Sequence, residues 1–397
     1  MTQFDIAIIG GGASGLAAAI AAARFGAAVA ILEKLPRVGK KILATGNGRC
    51  NLGNLSRDLD TYGGSVEIAP VFAQFPGEAD FFRSLGVWVR PDEVGRLYPA
   101  SYQAASVLDA LRLECTRLGV VEICDFAVRE IKQSAGRFIL ISSADQSVTA
   151  QRVILAAGGA AGAQFGTSGD GARLARDLGH QVTDCYPALA PIPVEAQGVR
   201  GLKGIRVQAE VTALRDGQIV GREAGQVQFA DGALTGICVF NLAHLRPDIL
   251  ILDLLPWCED VQGLLAEIIN HRAEAALEDL LTGLFPKRIG QVLIKVCTDQ
   301  PLTAPVSVLK KGEITALGEL MKDWRFPACP ADNWDTAQVT AGGVTEVLPT
   351  LESSTIPGLF FAGEVLDVHG DCGGFNLRWA WASGSVAGEH AARGLGL

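Results

Sequence analysis

Residues 4–33, FDIAIIGGGASGLAAAIAAARFGAAVAILE, decide the fold of this 397-residue chain. An apolar run at 6–9, a glycine turn, an alanine-rich stretch at 16–25, a second apolar run at 29–32 and an acid at Glu33 follow one another without a gap, the local pattern of strand, turn, helix and strand. Gly10, Gly12 and Gly15 stand in G-x-G-x-x-G spacing. The first permits a tight turn, the second lets backbone approach a pyrophosphate, and the third lets the helix press on the strand. Helix N–H groups then face the phosphates. Glu33 is placed to accept from ribose hydroxyls, which suits an adenosine without a 2'-phosphate. The unit therefore predicts a dinucleotide site.

Composition bounds what the rest can be. With 49% hydrophobic and 19% charged residues the chain is globular and large enough for two or three domains. A net charge of −9, from 43 acids against 34 bases, argues against a nucleic-acid partner. The N-terminal apolar stretch carries Asp5 and the glycine turn, and no basic leader precedes it, so neither signal peptide nor membrane span is expected. Nine scattered cysteines, an odd number with no C-x-x-C, fit reduced usage in the cytoplasm and no metal site.

Along the chain, GKKILATGNGRCN at 39–51 reads either as a loop around an anion or as a solvated basic turn. A helix is expected over 103–118 and strands near 120–128 and 137–141. QRVILAAGGA at 151–160 is a strand ending in small residues, and GTSGDGARLARDLGH offers Ser168 or Asp170 as a helix cap with Gly179 as the stop. From Pro187 the texture turns to short β-like runs, a small antiparallel sheet or barrel, interrupted by helical spacing at 259–298 and resumed as β-like at 302–345. The expected organisation is a first cofactor-domain part at 1–190, a β domain at 191–257 and 300–335 around a helical insert at 258–299, and a second cofactor-domain part at 336–397.

The C-terminal segment separates NAD from FAD. GLFFAGE at 358–364 gives an aromatic strand ending in Gly363 and Glu364, and GGFNL at 373–377 opens a helix-like run through His390. This resembles the late segment of FAD proteins, in which the acid bonds the ribityl or phosphate region and the helix N-terminus faces the flavin pyrimidine. With KKILATGNGRCN, ILAAGG at 154–159, TAGGV at 340–344 and GLFFAGEVLDVHGDCGGFNLRWAWASG at 358–384, nearly the whole chain resembles the BaiN/YhiN-like flavoproteins, also labelled aminoacetone oxidase family FAD-binding enzymes. The resemblance implies an α/β fold: a Rossmann-like FAD domain of the two-ended type, with an inserted β-barrel-like domain and a small helical insert. It implies that Ala13, Ser14, Glu33 and Lys34 line the adenosine diphosphate and that Val128 touches adenine through its backbone. Lys41, Thr45, Arg49, Cys50 and Asn51 fold over the flavin half, Gly158 and Gly159 approach it, and Gly363, Glu364, Gly374, Phe375, Asn376 and Leu377 hold ribityl and ring. The chain departs from the family pattern at Gly53, Cys372 and Phe375.

These readings make the protein an FAD-dependent oxidoreductase that transfers hydride at flavin N5 to or from a small organic molecule, reducing an activated C=C or oxidising an amine or alcohol. Asp367, His369 and Asp371 are the acid/base candidates just before the flavin-facing helix, with His369 the expected proton donor and turn and cap roles the alternative. Cys372 is a second, redox candidate. No second G-x-G-x-x-G follows residue 16, so a nicotinamide is expected only as a transient partner. Two other classes stay open: a flavoprotein modifying tRNA, and a flavin-bound sensor or scaffold without turnover.

Overall fold

A computed structural model describes residues 2–195 and 201–397; residues 196–200, inside the expected β domain, lie outside the described residues. The chain divides into two compact units, Met1–Pro187 with Trp334–Leu397, and Ala188–Asn333.

The first unit is built on a seven-stranded sheet in the order Val121–Ile123, Val29–Leu32, Thr2–Ile9, Ser147–Leu155, Arg137–Ser142 and Val128–Ser134, with Leu359–Phe361 pairing with Ser147–Leu155. Thr2–Ile9 runs parallel to both of its neighbours. Its residues 6–9 are all buried, the continuous apolar run of a strand covered on both faces. Ser147–Leu155 divides its other edge: residues 147–150 run antiparallel to Arg137–Ser142, and residues 153–155 parallel to Leu359–Phe361. The tail of the chain thereby completes the sheet begun at its head.

The helix after the glycine turn, Ala13–Arg24, lies against the C-terminal helix Phe375–Arg393. Small residues bring the axes close. A Cβ on Gly388 would lie 2.9 Å from Ala18 Cα, and one on Gly384 would be 3.0 Å from Ala17 Cβ. The alanine run of the first helix is thus a packing surface as well as a helix-favouring sequence.

The second unit carries an antiparallel six-stranded sheet in the order Ile192–Pro193, Ala233–Thr235, Gln218–Phe229, Arg206–Arg215, Ile249–Asp253 and Trp324–Pro327, and its two edges meet: Val194 bridges Ala328, Glu195 N donates to Pro327 O at 3.0 Å and Cys329 N donates to Pro193 O at 2.9 Å, a barrel-like closure. Along Arg206–Arg215 the buried residues Val207, Ala209, Val211 and Ala213 alternate with less buried ones, as a one-sided sheet requires. Helices Val261–His271 and Lys287–Cys297 occupy the stretch read as helical. Residues 311–322, expected as β-like, are instead the helix Lys311–Lys322. Leu317 and Met321 are buried four apart, and Glu313 closes a capping box on the Lys310 N–H at 2.8 Å, so helical period and cap outweigh the β-branched Ile314 and Thr315.

Candidate active site

Strand register builds the glycine turn. Gly10 N donates to Leu32 O at 2.8 Å, and Ala156 N donates to Ile9 O at 2.9 Å, so the turn leaves the sheet between the ends of two parallel neighbours. Gly10 has φ +104°, and a Cβ there would lie 2.5 Å from the Ala156 carbonyl oxygen; a Cβ on Gly15 would overlap the Gly10 carbonyl. Gly12 differs. Among the described residues outside its own turn and helix, nothing lies within 4 Å of its Cβ position at the start of Ala13–Arg24, where Ala13 and Ser14 form the first turn without a side-chain cap.

Glu33 does more than close its strand. Its carboxylate accepts from Gly11 N at 2.8 Å and Leu35 N at 2.9 Å, tying the second strand to the turn. A carboxylate offers about four lone-pair sites, so a further donor still finds room. Val128 opens its strand two residues beyond Phe126, whose N–H donates to Glu33 O at 2.9 Å. Lys34 turns to Ser168 and Asp170, with Nζ 2.6 and 2.5 Å from their oxygens. Gly169, rather than Ser168 or Asp170, occupies the cap position of helix Asp170–Asp177. Burial pushes the Asp170 carboxyl up, but bonds from Lys34 and Ser168 outweigh it and hold the group below its ordinary value.

A second cluster joins head and tail. Lys41 Nζ pairs with Glu364 Oε2 at 2.9 Å and donates to Ala161 O at 3.1 Å. Glu364 Oε1 accepts from Thr340 N at 2.8 Å, and Thr340 Oγ1 accepts from Ala160 N and Ala161 N at 2.9 and 3.1 Å. Gly363 packs its Cα against the Ser14 hydroxyl, while its N–H donates to Ser383 Oγ at 2.9 Å and its carbonyl accepts from Trp379 Nε1 at 3.2 Å. Gly158, Gly159 and Glu364 line a cavity of 450 Å³. Thr340, Gly342, Gly343, Arg176, Asp184 and Cys185 line it too. None of those six is among the expected site residues, although Thr340, Gly342 and Gly343 belong to TAGGV at 340–344 and Arg176 to GTSGDGARLARDLGH at 166–180; Asp184 and Cys185 stand in no motif.

In the basic loop, Thr45 Oγ1 donates to Ile42 O at 2.7 Å, Cys50 N donates to Thr45 O at 3.0 Å, and Arg49 is exposed. Cys50 is fully buried, and burial pushes its thiol up to about 12 despite a hydrogen bond with Thr45, so it stays a neutral thiol. Asn51 Oδ1 is buried with no hydrogen-bond partner and lies 2.6 Å from the Cβ position of Gly374. Loop 40–51 and residue 374 therefore meet. Phe375 stands edge-on to Tyr62, with centroids 5.8 Å apart. Leu377 is half-buried. The Asn376 side chain folds back instead of reaching outward: it accepts from Gly370 N at 2.8 Å and donates to Gly370 O at 2.7 Å.

His369 lies in Val368–Gly370, antiparallel to Tyr62–Gly64 and paired with Gly63. It is buried, and its Nε2 stands 2.6 Å from where a Gly63 Cβ would be. Asp371 N donates to Thr61 O at 2.9 Å, which holds the chain just beyond that strand.

This donor set fits FAD. The empty Cβ position of Gly12 would leave room for a pyrophosphate, and the buried Asn51 Oδ1 has an acceptor site without a donor. The fold and donor set define a flavoprotein oxidoreductase that binds FAD. The chain belongs to the family described as HI0933-like protein Rossmann domain, which matches residues 4–390. It is 40% identical to the 3-dehydro-bile acid delta(4,6)-reductase of Clostridium scindens, over 98% of each chain. It is 29% identical to the ribosomal RNA dihydrouridine synthase of Escherichia coli, over 96% of each. The crystal structure of 3-ketosteroid delta1-dehydrogenase from Sterolibacterium denitrificans shares the fold across 99% of this chain and 100% of that one, with a TM-score of 0.55 at 14% identity. No helix among the described residues is long and apolar enough to cross a membrane.

Proposed function

We propose that the protein reduces a carbon–carbon double bond conjugated to a carbonyl in a small steroid-like substrate, with NADH or NADPH as the hydride donor. The observation that carries this reading is the 40% identity, end to end, to a reductase named for a 3-dehydro bile acid. Bound FAD supplies the hydride chemistry, at its N5. The chain's part is to hold, orient and protonate. The turn at Gly10, Gly12, Ala13, Ser14 and Gly15 takes the pyrophosphate, and Glu33, Lys34 and Val128 take the adenosine side. Lys41, Thr45, Arg49, Cys50 and Asn51 cover the flavin half with Gly158, Gly159, Gly363 and Glu364, while the backbone at Gly374, Phe375, Asn376 and Leu377 faces the ring. His369 holds the proton at a ring nitrogen and gives it to the carbon next to the carbonyl, with the Asp371 carboxylate supporting its charge. The buried strand pairing keeps its imidazole in one place. Nine cysteines, none joined by a disulfide among the described residues, support a reducing, cytoplasmic setting.

One observation favours a second reading. The 29% identical relative is named a ribosomal RNA dihydrouridine synthase. Dihydrouridine is uridine with a carbonyl-conjugated double bond reduced, so both names describe the same kind of bond. The net charge of −9 weighs against a polyanionic substrate and keeps the small enone first.

The test is anaerobic reduction of the holoprotein by NADH and by NADPH, followed by reoxidation with a 3-keto-4,6-diene steroid, with unmodified ribosomal RNA or with oxygen. Fast reoxidation by the steroid alone is the expected result. Reoxidation by RNA alone selects the second reading, and a flavin that neither nucleotide reduces rejects both reductase forms.

A further inference from the structure

A buried ion pair lies beneath the first turn of the C-terminal helix, and none of the roles above uses it. Glu78 opens the helix Glu78–Arg83 and is 0% exposed; Arg378, in the first turn of Phe375–Arg393, is 4% exposed. Arg378 Nε stands 3.5 Å from Glu78 Oε1, and Nη1 donates to Ser56 O at 2.8 Å. The guanidinium carbon sits 4.5 Å from the centre of the Phe72 ring. Arg57 Nη1 donates to Glu78 Oε2 at 2.9 Å from a side chain that is 54% exposed. Tyr62, packed on Phe72 and Phe375, donates its hydroxyl to Phe375 O at 3.0 Å. A Cβ on residue 53 would overlap the Glu78 carboxylate. The departure from the family pattern at Gly53 is thus fitted to this pair.

Stability does not account for it. Burying two charges costs several kcal/mol per ion, and apolar replacements of such pairs are often neutral or stabilising. Arg378 also stands at the wrong end of its helix, because the macrodipole favours anions near an N-terminus and cations near a C-terminus. A charge held here at a cost acts on something close by, and low-dielectric surroundings weaken its field less than water does.

We propose that the Glu78–Arg378 pair sets the reduction potential of the flavin, Arg378 adding positive charge behind the helix turn at 374–377 and Glu78 limiting it. This rests on the reading that residues 374–377 face the flavin ring. Hydride from a reduced nicotinamide brings two electrons and one proton, leaves the nicotinamide oxidised, and adds one negative charge to the flavin. A nearby cation favours that product and an anion opposes it. The two partners therefore act on the potential with opposite signs, which a purely structural role would not do.

The experiment is dithionite titration of the holoprotein against reference dyes, for wild type, Arg378→Gln, Glu78→Gln, the double variant and Arg57→Gln. Arg378→Gln should lower and Glu78→Gln raise the equilibrium between reduced and oxidised flavin, each at least tenfold, about 30 mV for a two-electron couple. The double variant should return to within about threefold of wild type. If a single variant fails to fold or to hold FAD, Arg57→Gln carries the test with the double: it leaves Glu78 less neutralised and should lower the equilibrium about two- to threefold. Shifts of the same sign in the two singles, or unmoved potentials in variants that retain FAD, overturn the proposal. Dithionite needs neither nicotinamide nor enone, so the outcome is separate from whether those turn the enzyme over.

Discussion

Lys41 and Glu364 stand 323 residues apart in the chain and 2.9 Å apart in space. Their ion pair closes the basic loop onto the end of the last strand of the main sheet, and the second Glu364 oxygen fixes the Thr340 N–H. Glu364→Gln keeps the shape and loses the pair, so FAD affinity should fall about tenfold, or ~1.4 kcal/mol. Glu364→Ala also strands the Thr340 N–H and should cost roughly a further tenfold. Titration of apoprotein with FAD, followed by quenching of flavin fluorescence, reads both. An unchanged dissociation constant for both variants would remove Glu364 from the cofactor site.

Gly363 has no freedom to relax around a side chain. Its φ is +76°, its Cβ position is taken by the Ser14 hydroxyl, and its N–H and carbonyl are both held by the C-terminal helix. Gly363→Ala should destabilise by roughly 2–4 kcal/mol, seen as a lower melting temperature at saturating FAD. Ser383→Ala leaves the buried Gly363 N–H without its acceptor and should cost about 1–3 kcal/mol. A melting temperature for Gly363→Ala equal to that of wild type would show that the two helices part more easily than this packing implies.

What was legible in the chain was local. The turn at 10–15 could be read because strand, glycines and helix are consecutive, and the helical stretch at 259–298 because apolar residues recur with the helical period. Partner choice could not be read. Glu33 carries its own strand's backbone to the turn through Gly11 and Leu35, Asn376 folds back on Gly370, and Asp170 pairs with Lys34 across 136 residues. Each of these depends on which segments the sheet brings side by side. The helix Lys311–Lys322 was hidden by Ile314 and Thr315, whose β-branched side chains favour strands where tertiary packing does not decide. Glu78 and Arg378 gave no pattern at all, since a buried pair is invisible until its two helices meet.

Glu114 ties the helix Ala104–Arg117 to the helix of the glycine turn. Arg117 donates to it at 2.7 and 3.0 Å and Arg24 at 2.8 and 3.1 Å. Chiefly through the Arg117 bonds, and against burial, its carboxyl is lowered from 4.5 to about 2. The folded state thus binds this proton less readily than the unfolded one. Its stabilisation is complete above pH 4.5 and is lost as pH falls towards 2. Glu114→Gln should lower stability by roughly 2 kcal/mol at pH 7 and show a flatter decline between those two values. Chemical denaturation at a series of pH values reads the difference; parallel curves for variant and wild type would count against this assignment.

His369 and Gly63 give the last test, because the pair separates proton delivery from cofactor binding. With His369 Nε2 only 2.6 Å from the Cβ position of residue 63, Gly63→Ala must push the imidazole aside while leaving its chemistry intact. His369→Gln removes the titrating group and keeps a side chain that forms hydrogen bonds. If His369 is the proton donor, reduction of the flavin by nicotinamide should hold near the wild-type rate in both variants, since that half-reaction needs no proton at the substrate carbon. Reoxidation by the enone should fall about 10²–10⁴-fold in His369→Gln, the usual size of a general-acid contribution. Gly63→Ala should fall less, because a displaced ring still carries a proton. Stopped-flow measurement of the two half-reactions separates them, and an enone rate within twofold of wild type in His369→Gln would assign the proton to another group.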